Sequence, residues 1–323
     1  MVSLKAYLAR RTLQAVPVVL GVIFLNFTII HLAPGDPSYV LGGEMASPEF
    51  REELIERMGL NKPLWEQLFV YFATIFRGDL GNSIAYRTPV IQLIWERVPA
   101  TFLLVGTAML IAMTIGTIMG VNAARNPYSL MDNFTTVLSV VGYSTPSFWL
   151  AIMLMLLFGV YWNLLPTGGM LTVGFRMSPF ETVIDVLRHL ILPAFVLGLW
   201  HLTRFARMAR ASMLEELGKD YIVTAWAKGA SERAVIYGHA LGNALLPLVT
   251  MAGMSIPFLL TGAVVTETVF SWPGLGRLMF EGIFMRDYPV LMGLFIIVSI
   301  ATVAANLLTD IVYALLDPRI RYK

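Results

Sequence analysis

Gly218 and Gly229 bracket the segment Lys219-Asp220-Tyr221-Ile222-Val223-Thr224-Ala225-Trp226-Ala227-Lys228. Here the sequence concentrates residues able to act on another molecule. Glycine is poor inside helices and frequent at their ends, so the segment reads as a helix of under about three turns. Asp220 stands near its start and Lys228 near its end, the charge order that the helix dipole favours. Ile222, Ala225 and Trp226 are expected on one apolar face. The chemistry on offer is recognition. A short helix with tryptophan on its apolar face suits insertion into a partner's groove, and it equally suits lying on a lipid surface.

Covalent chemistry has little support. The chain has no Gly-x-x-x-x-Gly-Lys-Ser/Thr loop, and the pair Gly218-Lys219 lacks the rest of that motif, so nucleotide binding of the P-loop kind is excluded. His-Glu-x-x-His and Gly-x-Ser-x-Gly are both missing. Cysteine is absent, which removes disulfides, thiolate metal sites and cysteine nucleophiles. Four scattered histidines do not form a metal cage. His189 and His201 are too far apart to share a helix turn and read as packed or interfacial residues. Arg204, Arg207 and Arg210 recur at spacing three, either as a membrane anchor or as a contact for an acidic partner or gate.

These residues must be positioned by elements built for lipid. Of 323 residues, 57% are apolar and 14% charged, with mean hydropathy +0.71. Soluble proteins carry about 25% charged residues, so a soluble or disordered chain is excluded. In hydrocarbon a charge-free apolar stretch of about 20 residues reads as a helix. Six spans are expected, at 12–32, 98–124, 134–161, 189–203 extended through Arg204 and Arg207, 234–266 and 288–309. The third is read as one helix because Pro166, Gly168 and Gly169 break the rest of its charge-free window. The first is long, with no small-residue cleavage site after it, and reads as an uncleaved anchor.

With the N-terminus in the cytosol, the inside segments 1–11, 123–133, 204–238 and 314–323 hold 13 of the 23 Lys and Arg in 67 residues. The outside segments hold the other 10 in 116 residues. The positive-inside bias therefore places both termini in the cytosol. The domain plan is a tail at 1–11, a first span at 12–32 and an extracytoplasmic segment with short interfacial helices at 33–99. A five-helix core comes next at 100–315, including the cytosolic loop 204–238, and then a tail at 316–323.

In the first outer segment, Ser47-Pro48 followed by Glu49, Glu52 and Glu53 starts a helix and Gly59 stops it. Trp65, Phe69, Tyr71 and Phe72 suit the membrane interface, and 89–97 suits a short amphipathic helix. In the second span Ala108, Ala112, Gly116, Gly120 and Ala124 place a small residue at every fourth position, which lets a neighbouring helix approach. Asn26, Asn133, Ser139, Ser144, Thr145 and Asn306 are polar candidates for a pathway, with packing as the alternative role. A Trp-Pro-Gly turn at Trp272, Pro273, Gly274 and Gly276 suits an element near the outer mouth.

Motifs along nearly the whole chain carry a resemblance. They are Leu32-Ala33-Pro34-Gly35-Asp36-Pro37, Gly59-Leu60-Asn61-Lys62-Pro63-Leu64, Gly78-Asp79-Leu80-Gly81, Ser144-Thr145-Pro146, Trp272-Pro273-Gly274-Leu275-Gly276, Arg286-Asp287-Tyr288-Pro289 and Asp317-Pro318-Arg319-Ile320-Arg321-Tyr322. Between them, 220–247 carries Thr224-Ala225, Lys228-Gly229, His239-Ala240-Leu241, Asn243-Ala244 and Pro247. The chain resembles permease subunits of binding-protein-dependent ABC importers, most closely the dipeptide/oligopeptide branch.

The resemblance implies an all-α, multi-pass protein of the bacterial cytoplasmic (inner) membrane with the type I importer permease fold. It implies a second homologous permease subunit, two ATPase subunits that hold ATP and Mg, and an extracytoplasmic solute-binding protein. No cofactor is implied in this chain, no nucleic acid partner and no enzyme activity of its own. Asp220, Tyr221, Thr224, Ala225, Trp226, Lys228 and Gly229 would couple to an ATPase, and Trp272, Pro273, Gly274 and Gly276 would meet the binding protein or form the outer gate. The substrate class is di- or oligopeptides, with nickel, glutathione, opines or oligosaccharides on the same machinery as the alternative, and a secondary transporter as a more distant one. The sequence departs from the family at Val223, Trp226 and Gly242, where relatives usually carry arginine. Docking would then rest more on packing than on charge, with Trp226 as an anchor, or the partner ATPase would have changed to match.

Overall fold

The computed structural model describes residues 4–32, 47–58, 60–255 and 263–316. Among them there is no β-strand, and the elements are α-helices with two π-helical turns. In chain order they are α1 (Leu4–Leu32), α2 (Pro48–Met58), α3 (Leu64–Phe76), α4 (Val90–Arg125), α5 (Leu130–Ser144) and α6 (Ser147–Leu154), which runs on into a π-turn (Met155–Tyr161). Then come α7 (Pro179–Leu217), α8 (Asp220–Ala227), a second π-turn (Ala234–Ala240) leading into α9 (Leu241–Ser255), α10 (Val264–Val269), α11 (Leu275–Phe284) and α12 (Tyr288–Leu316). The expected stop at Gly59 lies outside the described residues.

Four of these helical stretches are long and apolar enough to cross a membrane: Val90–Arg125, Pro179–Leu217, Ala234–Ser255 and Tyr288–Thr309. The pair α5 and α6 with its π-turn makes a fifth if it counts as one span. In α1 the described apolar stretch is Val16–Leu32.

The expected single helix over 134–161 is corrected. It is broken between Ser144 and Ser147, with a bend of 101°. Pro146 is the cause: its ring pushes the preceding residue out of the helical region, and Thr145 sits at φ −80°, ψ 123°. The Thr145 backbone N–H and hydroxyl both turn back onto the Val141 carbonyl, at 3.0 and 2.7 Å. The fourth expected span, 189–203, is only the middle of a 39-residue helix. That helix starts earlier because Ser178 and Glu181 form a capping box that spans Pro179. The short helix expected over 89–97 is not separate, since α4 runs unbroken from Val90 past Pro99.

The chain folds as two compact units. One comprises Met1–Pro99 with Gly274–Lys323. In it α1 packs on α3 and α12 through Ile23, Phe27, Ile30, Tyr71, Met292 and Ile296. Buried Asn26 donates to the Met292 carbonyl at 3.3 Å, which gives it a packing role. Ser47 caps α2, accepting from the Phe50 N–H at 3.2 Å. Asp287 is buried and accepts from the Ser83 hydroxyl at 2.5 Å and the Ala85 N–H at 3.0 Å, tying the loop before α4 to the start of α12.

The other unit is Ala100–Pro273. Here α7 is the central column, flanked by α5, α6 and α9. The small residues of α4 face it closely. A Cβ on Gly116 would stand 2.7 Å from the Leu202 carbonyl, and one on Gly120 would stand 2.3 Å from that of Ala206. Ala108 lies against Gly198, Ala112 joins the Phe205–Ala209 core, and Ala124 is buried beneath the 220–244 region.

Candidate functional site

The short helix between the glycines forms at Asp220–Ala227, and its two sides differ sharply. Ile222 is 1% and Ala225 7% exposed. Both enter a core with Val121 and Ala124 from α4, Met213 from α7, and Val235, Ile236, Ala240 and Ala244 from the second π-turn and α9. Val223 is 61% and Trp226 48% exposed, three apart and therefore on a common side. The single apolar face expected for Ile222, Ala225 and Trp226 thus divides: two residues anchor the helix to its own protein, while Trp226 turns outward beside Val223. Hydrophobic periodicity registers both sides without telling which one the protein itself covers.

The helix is also pinned by polar groups. The Glu216 carboxylate, at the end of α7, accepts from the Lys219 ammonium at 2.5 Å and the Tyr221 hydroxyl at 2.6 Å. Asn243 of α9 donates to the same tyrosine oxygen at 3.1 Å. Burial and the bond to Glu216 push the Tyr221 phenol above its ordinary range, and the same carboxylate raises Lys219. Thr224 is spent locally, its hydroxyl donating to the Asp220 carbonyl at 3.0 Å. Lys228 is the exposed C-cap, and Gly229 at φ +80° turns the chain away in a conformation other residues reach only with strain. Just beyond, Arg125 at the end of α4 clasps Glu232 through two bonds of 2.5 and 3.0 Å. Sequence reasoning missed Glu232, whose partner Arg125 comes from a distant element, and Glu216, although Lys219 stands at the local i,i+3 spacing from it. It found Asn243 only as part of a motif.

The Trp-Pro-Gly turn is built differently. Trp272, Gly274 and Gly276 are buried and Pro273 is half-buried. In the unit Ala100–Pro273, the Trp272 indole N–H donates to the Ala100 carbonyl at 2.8 Å, and the ring packs with Leu104, Ala108, Leu190 and Ala194. Glu267, fully buried, accepts from the Thr101 hydroxyl at 3.0 Å nearby. Gly168 and Gly169 close over this region, with the Gly169 N–H donating to the Phe270 carbonyl at 2.8 Å. Trp272 is therefore a packing anchor, and any contact made by this turn comes from its neighbours.

The three arginines of α7 have separate fates. Arg210 forms a bidentate pair with buried Asp132 of α5, at 2.5 and 2.8 Å. Arg204 lies 4.9 Å from the Trp200 ring centroid, and Arg207 lies 5.2 Å from that of Tyr143. His189 and His201 are both buried, and His189 Nδ1 is bonded to the Asp185 carbonyl. No group of three or more His, Cys, Asp or Glu able to hold a metal ion occurs among the described residues. The arrangement offers an outward apolar knob on a packed base.

Comparison with known proteins gives a consistent result. The family model described as binding-protein-dependent transport system inner membrane component matches residues 112–322. The model for the N-terminal part of such membrane components matches residues 4–105. Similar relatives include the oligopeptide transport system permease protein AppB of Bacillus subtilis, 41% identical over 98% of this chain and 99% of its own length. The dipeptide transport system permease protein DppB of Escherichia coli is likewise 41% identical, and the di/tripeptide permease protein DppB of Pseudomonas aeruginosa 40%, each with the same coverage.

Proposed function

The chain belongs to the family of binding-protein-dependent transport system inner membrane components, and from that premise we propose that it is the permease subunit of an ATP-driven importer of di- or oligopeptides. The peptide class rests on relatives named for oligopeptide, dipeptide and di/tripeptide transport, each aligned over nearly the full length of both chains. In this reading the chain crosses the membrane six times with both termini in the cytosol. It pairs with a second permease subunit and receives peptide from an extracytoplasmic binding protein. Hydrolysis of ATP with Mg belongs to two partner ATPase subunits, and this chain forms pathway rather than active site.

The observation that carries the coupling role is the divided helix α8. Ile222 and Ala225 fasten it to the ends of three long elements, while Val223 and Trp226 face outward. An exposed tryptophan on a helix whose other side is packed into its own protein is a binding anchor that loses little entropy on docking. Asp220, Tyr221, Thr224, Lys228 and Gly229 shape and seat the helix. Because it is joined to α4, α7 and α9 at once, a push on Trp226 reaches several long helices together, as an alternation between inward and outward states requires. The turn at Trp272, Pro273, Gly274 and Gly276 acts at the outer end by bracing the gate from within.

The deciding experiment is uptake of a labelled tripeptide into proteoliposomes holding the complex purified from its native membrane. Uptake that needs ATP inside and the binding protein outside supports this reading. Uptake driven by an ion gradient without ATP, or an assembly that accumulates only a metal ion or a sugar, overturns it.

A further inference from the structure

The cation–aromatic ladder of α5 and α7 is the feature that coupling leaves unused. Tyr143 and Trp200 stack at 6.2 Å between centroids, with their planes 19° apart. Arg204 covers Trp200 and Arg207 covers Tyr143. Both aromatic rings line a cavity of about 470 Å³, together with Thr145, Ser147, Leu150 and His201. That volume falls within the range of about 300–1,000 Å³ usual for small-ligand sites. The break at Pro146 opens this space, because a continuous helix through 144–147 would not present Thr145 and Ser147 on the bend.

The charges decide what the site selects. Arg210 is neutralised by Asp132. Arg204 and Arg207 are exposed, and among the described residues neither forms an ion pair. An arginine held over a ring by cation–π attraction keeps its guanidinium N–H donors, so each can still take a carboxylate. Simple snorkelling to the membrane surface would need neither ring. We propose that Arg204 and Arg207 form a carboxylate-binding station on the permease itself, which holds the C-terminal carboxylate of the peptide while its adjoining residues occupy the Tyr143–Trp200 cavity. This rests on the reading of the chain as a peptide permease and adds a selectivity step inside the membrane subunit.

The test compares trialanine with its C-terminal amide in proteoliposomes, using the same binding protein in both arms so that its own preference cancels. For the double variant Arg204→Gln/Arg207→Gln, uptake of the free acid should fall about tenfold relative to the amide. Equal loss for both peptides, or no change in their ratio, overturns the proposal. A ratio change that disappears in vesicles without anionic lipid assigns the arginines to lipid headgroups and also overturns it. Because the double variant can fail to assemble, a second measurement uses the wild-type arginines. A photoreactive residue at Leu150 should capture the free acid and not the amide, and equal capture of both rejects the station. A wild-type complex that moves neither peptide defeats the peptide-permease reading itself, whereas peptide transport with an unaltered acid-to-amide ratio in the variant defeats only the station.

Discussion

Neighbouring residues of α8 are expected to fail in different ways when changed. Ile222 is packed on all sides, so Ile222→Ala leaves a cavity and should cost about 2–5 kcal/mol of stability, read as a lower unfolding temperature of the purified subunit. Trp226→Ala touches no core. It should leave unfolding within about 0.5 kcal/mol of wild type and weaken ATPase co-purification by about 2 kcal/mol, the level of a binding hot spot. If Trp226→Ala leaves co-purification and transport intact, the anchor role is wrong. The Arg125–Glu232 clasp adds a pH test. Hydrogen bonding to Arg125 holds the Glu232 carboxyl below its ordinary value of 4.5. A carboxyl depressed in the folded state contributes fully above its unfolded pKa and loses that contribution as pH falls through the lowered value. ATPase-coupled activity should therefore be insensitive to this group from pH 7 down to about 5. Glu232→Gln should lower activity throughout that window and converge on wild type only in stronger acid.

At the scale of elements, the tight seam between α4 and α7 is the most demanding. At Gly120 a Cβ would meet backbone, not a yielding side chain, on α7. Gly120→Val should therefore cost about 1–3 kcal/mol by overpacking and reduce folded yield from the membrane, whereas Gly242→Ala, with nothing within 4 Å, should be silent in the same assay. The small-residue spacing that marks this seam was legible in the sequence because helical period and residue volume are local properties. So were the bounds of α8, which its flanking glycines announce. The bend at Pro146 was passed over because the more conspicuous Pro166, Gly168 and Gly169 already accounted for a break, although Thr145-Pro146 carries the same steric signal. The full reach of α7 escaped a reading based on charge-free windows, since Glu181, Asp185 and Arg188 interrupt the window without interrupting the helix. The Ser178–Glu181 capping box was the local evidence for its true start. Which side of α8 is covered was not legible at all. That depends on how Val121 from distant α4 meets Met213 and Val235 from the two flanking elements.

At the scale of the whole molecule, the sign of the loops argues for one orientation. The segments placed inside carry a net charge of +7 and those placed outside −4, and positive loops resist translocation. That orientation would put α8 with its exposed Trp226 on the side where ATP is available, and the turn after α10 on the side from which a binding protein would deliver peptide. The two lie on opposite sides only if the number of spans between them is odd, so a topology map tests both placements together. The chain offers a clean background for one because it contains no cysteine. Single cysteines at Lys228, Arg87 and Ser271, each exposed, can be probed in intact cells with a membrane-impermeant maleimide. Arg87→Cys and Ser271→Cys should label from outside, and Lys228→Cys only after the membrane is opened. Labelling of Lys228→Cys in intact cells would reverse the orientation and separate α8 from any ATPase. Protection of Ser271→Cys, with Arg87→Cys still labelled, would remove one crossing between α8 and the Trp-Pro-Gly turn and leave that turn with no access to an extracytoplasmic partner.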